Sequence, residues 1–172
     1  MHEIELDLDM TSASDLSSIE TANCYIVSET GSYKFRTVKG NSKESIDEVV
    51  SANILWESFG TTSTPRNNEL IKGVSYENGY IAFQVAEQFK KGNVLIAAKD
   101  KAGKILWSWH IWLTEYPEEQ EYYKNAGTMM DRNLGATSAT PGDAGALGLL
   151  YQWGRKDPFL GFSSISSSTV AE

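Results

Sequence analysis

The chain has 172 residues, a formal net charge of −8, 41% hydrophobic residues and 22% charged residues. This length and composition suit one folded domain, or one domain with an extension. No cluster of lysine and arginine is present to neutralise nucleic-acid phosphates or an anionic bilayer, so we expect neither partner. No apolar run approaches the ~20 residues of a membrane-spanning helix, and no signal-peptide core precedes the acidic first residues.

Residues 1–20 are acidic and rich in serine. In "EIELDLDM" the apolar residues alternate with acids, which is typical of either an edge strand or an extended linker, and we treat 1–20 as an N-terminal arm. The single cysteine, Cys24, excludes an internal disulfide and a cysteine-based zinc cluster. Its neighbours in "NCYIV" indicate a buried position on a strand.

Residues 21–116 contain about seven short β-rich runs separated by turn residues. Asn78-Gly79 lies between two such runs and can supply the positive φ angles of a type I′ hairpin. Lys101-Ala102-Gly103 marks a second hairpin, and "AEQFKKGN" between the two predicts a short helical or turn segment. Short strands without intervening helices predict a mainly β fold, an immunoglobulin-like antiparallel β-sandwich, although the cysteine pair of antibody domains is missing.

The stretch "LWSWHIWL" contains three of the five tryptophans and one of the two histidines. Alternation along a strand predicts two faces. The face predicted to enter the core carries Trp107, Trp109, Ile111 and Leu113. The other face carries Leu106, Ser108, His110 and Trp112. The pattern favours a strand that anchors the core, with a binding surface centred on Trp112 as the alternative.

No pattern of catalytic or metal-binding residues stands out. His110 has no HExxH or G-x-S-x-G context, so we interpret it as a histidine tucked into a strand. The spacing of Asp131, Asp143 and Asp157 does not resemble a calcium-binding loop. We therefore predict a non-enzymatic chain with no catalytic residue, metal ion or cofactor.

The composition changes at "TEYPEEQEYYKN", which predicts a linker over 117–127 before a glycine-rich segment over 128–172. Tyr151, Trp153, Arg155 and Asp157 alternate in "YQWGRKDPF", so an extended piece would place them on one side. Together with Arg132 beside Asp131, the Arg155–Asp157 pair is predicted to hold this loop-rich segment together.

These same residues carry a family resemblance. "TMMDRNLGA" followed by "GLLYQWGRKDPF" resembles the opening of the Fibrobacter major paralogous domain. The preceding stretch, from "ANCYIVSETGSYKF" to "GNVLIAAKDKAGKILWSWHIWLTE", is similar to the β-sandwich module of fimbrillin-like surface proteins and lipoproteins. The resemblance covers roughly residues 21–162. It implies that 128–172 is the start of a C-type-lectin-like fold. Because the family's later Cys-Pro-x-Gly-Trp segment is missing, we expect either a truncated fold or residues 126–172 packed onto the sandwich as an extension.

The resemblance also implies an exported protein at the outer cell surface, with any leader or lipid anchor outside this chain. It implies a role in adhesion or in glycan or polysaccharide recognition, and no catalytic residues. Exposed aromatic side chains would stack on sugars, and the candidates are Trp112, Tyr122, Tyr123, Tyr151 and Trp153. Structural roles are expected for Trp107, Trp109, Arg132, Arg155 and Asp157.

Two other functions are compatible with the sequence. The chain could be a structural stalk or pilus-type subunit whose partner is another surface protein, because a sheet edge can accept an added strand and the alternating arm is a candidate donor. An enzyme on a C-type-lectin-like scaffold is the third possibility, but no copper-binding or nucleophile group supports it.

Overall fold

A computed structural model describes residues 8–160 of the chain, and almost all of its regular structure is β-strand. The strands are β1 (Ser14–Asp15), β2 (Cys24–Val27), β3 (Ser32–Arg36), β4 (Ser51–Ser58), β5 (Ile71–Glu77), β6 (Tyr80–Val85), β7 (Gly92–Lys99), β8 (Ile105–Leu113), β9 (Glu119–Glu121) and β10 (Thr128–Met130). Two single-turn 3-10 helices span Tyr123–Asn125 and Ala144–Ala146.

Two four-stranded sheets form a sandwich, which confirms the predicted fold class. Sheet I has the order β1-β3-β6-β5, and sheet II has the order β2-β8-β7-β4. The seven strands β2–β8 match the seven β-rich runs of the sequence. The sheets are mixed rather than purely antiparallel, since β1 runs parallel to β3 and β2 runs parallel to β8.

Both predicted hairpins form at the predicted turns. Asn78 and Gly79 have φ angles of 49° and 81° between β5 and β6, as a type I′ turn requires. The second turn, between β7 and β8, places Gly103 at φ 82°. The segment "AEQFKKGN" contains bends and leads into β7 without forming a helical turn.

The core lies between the sheets and is rich in aromatic side chains. Phe35 and Phe83 of sheet I are fully buried, and the ring centroid of Trp109 in sheet II lies 5.3 Å from that of Phe35. Ile111 and Leu113 follow Trp109 on the same face, as the alternation predicts. Trp107 is partly buried at the margin of this core.

Strand β7 is buried on both faces, so sheet II is covered on its outer side. Val94 and Ile96 point into the sandwich core. Leu95 and Ala97 belong to a second apolar cluster, where Leu149 from the C-terminal segment packs on them. A strand buried on both faces requires a layer over each, and here residues after β10 provide the outer one.

The described part of the N-terminal arm attaches to sheet I. Strand β1 pairs with β3, and Lys34 Nζ donates a hydrogen bond of 2.7 Å to the carbonyl of Met10. The pairing lies C-terminal to "EIELDLDM": Leu8 to Met10 form no strand, and residues 1–7 lie outside the described residues.

The predicted linker over 117–127 contains part of a hairpin. Strand β9 lies inside it and pairs with β10, with Glu119 opposite Met130. The polypeptide therefore leaves the sandwich through an ordered two-stranded element. None of the helices in residues 8–160 is long and apolar enough to cross a membrane.

Candidate functional site

Residues 131–160, which we call the extension, lie on the outer face of sheet II. Side chains of the sheet hold its first part through backbone carbonyls. The indole Nε1 of Trp112 donates to the carbonyl of Ala136 at 3.0 Å, and Asn93 Nδ2 donates to that of Gly135 at 2.9 Å. The extension is therefore packed against the sandwich through specific hydrogen bonds.

An ion-pair group anchors the start of the extension. The Arg132 side chain is 5% exposed, and its Nε and Nη2 donate to the two carboxylate oxygens of Asp131. Its Nη1 donates to Glu115 Oε1 at 2.8 Å. Hydrogen bonding from Arg132 to Asp131 raises the pKa of the guanidinium above its ordinary value. Desolvation raises the pKa of Glu115, but hydrogen bonds from Lys91 and Arg132 outweigh it and bring the pKa to about 2.

Residues 150–159 form a loop that we call the aromatic loop, and its two ends are joined. Leu150 and Phe159 make a β-bridge with backbone hydrogen bonds of 2.9 and 2.7 Å. Asp157 accepts a hydrogen bond of 2.7 Å from Ser108 Oγ on β8. Lys156 Nζ donates to the Ser108 carbonyl at 3.0 Å. The base of the loop is thus fixed to the sandwich, which gives Asp157 an anchoring position.

The tip of the aromatic loop projects away from these anchors. Trp153 is 101% exposed, which means that its indole makes almost no contact with the rest of the described chain. Gly154 follows at φ 80°, and the backbone N–H of Arg155 donates to the carbonyl of Gln152 at 3.0 Å, which closes a turn. The one-sided arrangement that an extended piece from Tyr151 to Asp157 would give does not form, because a turn separates the two halves.

Arg155 and Tyr151 each lie two residues from Trp153 in the aromatic loop. The guanidinium carbon of Arg155 lies 4.3 Å from the ring centroid of Phe159, a cation–π distance. Tyr151 is 41% exposed, and burial of its hydroxyl raises the pKa of this side chain.

The interpretation of Trp112 as part of an exposed binding surface is wrong. Trp112 is 0% exposed because residues 131–160 cover the outer face of sheet II and its indole N–H is bonded to Ala136. The other aromatic candidates remain at the surface but on separate elements. Tyr122 and Tyr123, at 53% and 85% exposure, lie beside the β9–β10 hairpin rather than on the aromatic loop.

Beneath the extension, a chain of hydrogen bonds crosses three strands. Cys24 Sγ lies 3.2 Å from His110 Nδ1, and His110 Nε2 lies 2.8 Å from Asn93 Oδ1. Because the amide nitrogen of Asn93 donates to Gly135, its oxygen faces His110, so His110 Nε2 carries the proton and Nδ1 accepts from the thiol. Sequence reasoning missed this group because Cys24 and His110 become neighbours only through the parallel pairing of β2 with β8.

The spacing of Cys24, His110 and Asn93 resembles that of a nucleophile, a base and a residue that orients the base. Its electrostatics differ from such a site. Burial raises the pKa of Cys24 to about 12 and lowers that of His110 to about 3, where Asp157 opposes the effect. Both groups are neutral at pH 7, whereas a reactive cysteine depends on its thiolate. His110 is also 3% exposed, so a substrate has no path to the base.

The three aspartates considered for calcium are engaged with groups of the protein. Asp131 binds Arg132, Asp157 binds Ser108 and Lys156, and Asp143 Oδ1 accepts from the Gly145 N–H at 2.9 Å at the start of the second 3-10 helix. Within residues 8–160, no group of three or more histidine, cysteine, aspartate or glutamate side chains is arranged to hold a metal ion.

The architecture defines the chain as a β-sandwich protein with a loop-rich extension packed on one sheet. Searches against protein-family models, curated proteins and solved structures found no match to this chain.

Proposed function

We propose that the chain is a non-enzymatic recognition module of the outer cell surface, and that it binds saccharides through the aromatic loop. The observation that carries this proposal is the full exposure of Trp153 on a loop whose base is pinned to the sandwich. A large aromatic side chain in water loses the stabilisation it would gain from burial, so an ordered, exposed tryptophan favours a partner that covers it. A pinned loop also has little conformational entropy to lose on binding.

The distribution of exposed apolar side chains supports a recognition role for the C-terminal part of the chain. Within strands β2–β8, Ile105 is the one exposed large hydrophobic residue. Beyond β8 the exposed large hydrophobic residues are Tyr116, Tyr122, Tyr123, Met129, Met130, Leu147, Leu150, Tyr151, Trp153 and Phe159. The sandwich thus resembles a scaffold, and the segments that follow it carry the surface suited to a ligand.

A saccharide is the ligand class that an aromatic platform and flanking polar groups suit. The apolar C–H face of a pyranose packs on an indole, while its hydroxyls exchange hydrogen bonds with neighbouring donors and acceptors. The family resemblance of "TMMDRNLGA" and "GLLYQWGRKDPF" points to the same role and to a surface location.

A glycan-array screen tests the proposal directly. We expect the full chain to bind at least one class of glycan and Trp153→Ala to weaken that signal at least ~10-fold, as loss of a central tryptophan does in other interfaces. Ile19→Ala is the matched control, because Ile19 is 95% exposed but lies in the N-terminal arm. The proposal fails if the wild-type chain binds no glycan, or if Trp153→Ala binds as well as the wild type.

A further inference from the structure

Arg155 is the residue of the aromatic loop whose charge is not compensated. It is exposed, lies two residues from Trp153, and makes its cation–π contact with Phe159. Among the ion pairs formed within residues 8–160, none includes Arg155, whereas Arg132 binds both Asp131 and Glu115. The Arg155 guanidinium is therefore exposed and without an acidic partner in residues 8–160, two positions along the chain from Trp153.

The other charges of the loop neutralise each other. Lys156 Nζ lies 2.6 Å from Asp157 Oδ1. Lys156 also packs with its ammonium 4.5 Å from the Trp107 ring centroid, turned towards the sandwich. The loop therefore presents one positive charge, that of Arg155, on a chain whose net charge is −8. Against this acidic background, Arg155 is a local positive charge two residues from Trp153, and it favours an anionic group over a neutral one at this position.

We propose that the aromatic loop binds acidic saccharides, with Trp153 stacked on a sugar ring and Arg155 paired with the carboxylate of a uronic or related sugar acid. This inference rests on the proposed function and names its ligand class. The planar guanidinium can donate two parallel hydrogen bonds to a carboxylate, which a neutral sugar cannot match. Stacking on Phe159 orients the guanidinium before binding, so less side-chain entropy is lost when the pair forms.

The test compares carboxylated polysaccharides with the same polymers after chemical reduction of their carboxyl groups to alcohols. Polygalacturonate, alginate, hyaluronate and a polysialic acid serve as probes, and the full chain is titrated with each by calorimetry at two salt concentrations. We expect the full chain to bind at least one acidic polymer ~10-fold or more tighter than its reduced form, the range given by a hydrogen bond between charged groups. This preference should decrease as salt rises.

Three variants assign the preference to Arg155. Arg155→Gln should bring the acidic-to-reduced ratio close to one, and Arg155→Lys should restore only part of it because a lysine cannot form the bidentate pair. Arg66→Gln removes another exposed arginine, from the β4–β5 connection, and should leave the ratio unchanged.

The outcomes separate this inference from the proposed function. Equal binding of acidic and reduced polymers, with loss in Trp153→Ala, would overturn the acidic preference and leave saccharide recognition standing. An acidic preference that persists in Arg155→Gln would overturn the role of Arg155. No binding to any polymer in either form would overturn the acidic-saccharide inference, whereas the proposed function is decided by the glycan array.

Discussion

Lowering the pH from 7 to 5 should destabilise the fold through His110. This side chain is buried between Cys24 and Asn93, and burial lowers its pKa from the ordinary 6.5 to about 3 in the folded protein. The unfolded chain therefore takes up the proton first. The stabilisation is fully present above the unfolded pKa and is lost as the pH falls towards the folded one.

The size of this effect follows from the two pKa values. Between pH 7 and pH 5 the folded His110 stays neutral, while the same histidine in the unfolded chain becomes protonated. This protonation shifts the folding equilibrium towards the unfolded state about 25-fold. This ratio corresponds to a loss of about 2 kcal/mol in the free energy of unfolding. The folded pKa of about 3 already includes the opposing effect of Asp157. Burial raises the pKa of Glu57, which acts in the opposite direction in the wild type and in any His110 variant alike.

Urea unfolding followed by tryptophan fluorescence measures the effect. We expect the wild type to lose about 2 kcal/mol more than His110→Gln between pH 7 and pH 5, because glutamine does not titrate. The second histidine, His2, is present in both proteins and cancels. If both proteins lose the same stability, the reasoning is refuted. Since His110→Gln could unfold, NMR titration of the wild-type imidazole is the second readout, and a midpoint near 6.5 would contradict a buried neutral ring.

Two substitutions test close packing, one within the sandwich and one between the sandwich and the extension. In Gly92→Ala the added Cβ would lie 2.5 Å from Leu70 Cδ1 and 2.7 Å from the Ser58 carbonyl oxygen, so we expect a loss of about 2–3 kcal/mol in chemical denaturation, and an unchanged midpoint would contradict this close packing. Trp112→Phe removes the donor to the Ala136 carbonyl and leaves a void. We expect it to lower the free energy of unfolding by about 2–4 kcal/mol and to speed proteolysis within residues 131–160. Wild-type protease resistance would show that Trp112 does not hold the extension.

The strands of the sandwich could be predicted because their signals are local. Asn78-Gly79 specifies its turn by backbone preference alone, and the alternation in β8 assigns Trp109 to the core without knowledge of any other strand. The parallel pairing of β2 with β8 could not be predicted, because it joins residues as distant as Cys24 and His110.

The burial of Trp112 could not be predicted from the alternation of residues along β8. Alternation placed Trp112 on the face opposite Trp109, but whether that face meets solvent depends on where residues 131–160 return. The shape of the aromatic loop was missed for a similar reason. Gly154 takes a positive φ and turns the chain, so Trp153 reaches the tip while Asp157 returns to Ser108.

Part of the candidate site was visible in the sequence. Tyr151 and Trp153 were selected as aromatic candidates, and the structure leaves both exposed on one loop. The sequence predicts a structural pair between Arg155 and Asp157, and this pairing is wrong, because Asp157 pairs with Lys156 while Arg155 contacts Phe159. The lack of an acidic partner for Arg155 among residues 8–160 needed three-dimensional contacts, because Asp157 is only two residues away in sequence but is engaged by Lys156.

The most direct test of the account is to measure the affinity of the strongest array ligand for the wild type, for Trp153→Ala and for the double variant Tyr122→Ala/Tyr123→Ala. If the aromatic loop is the recognition surface, Trp153→Ala binds at least ~10-fold more weakly while the double variant retains wild-type affinity. Wild-type affinity in Trp153→Ala, with loss in the double variant, would place recognition at the β9–β10 hairpin and contradict the account.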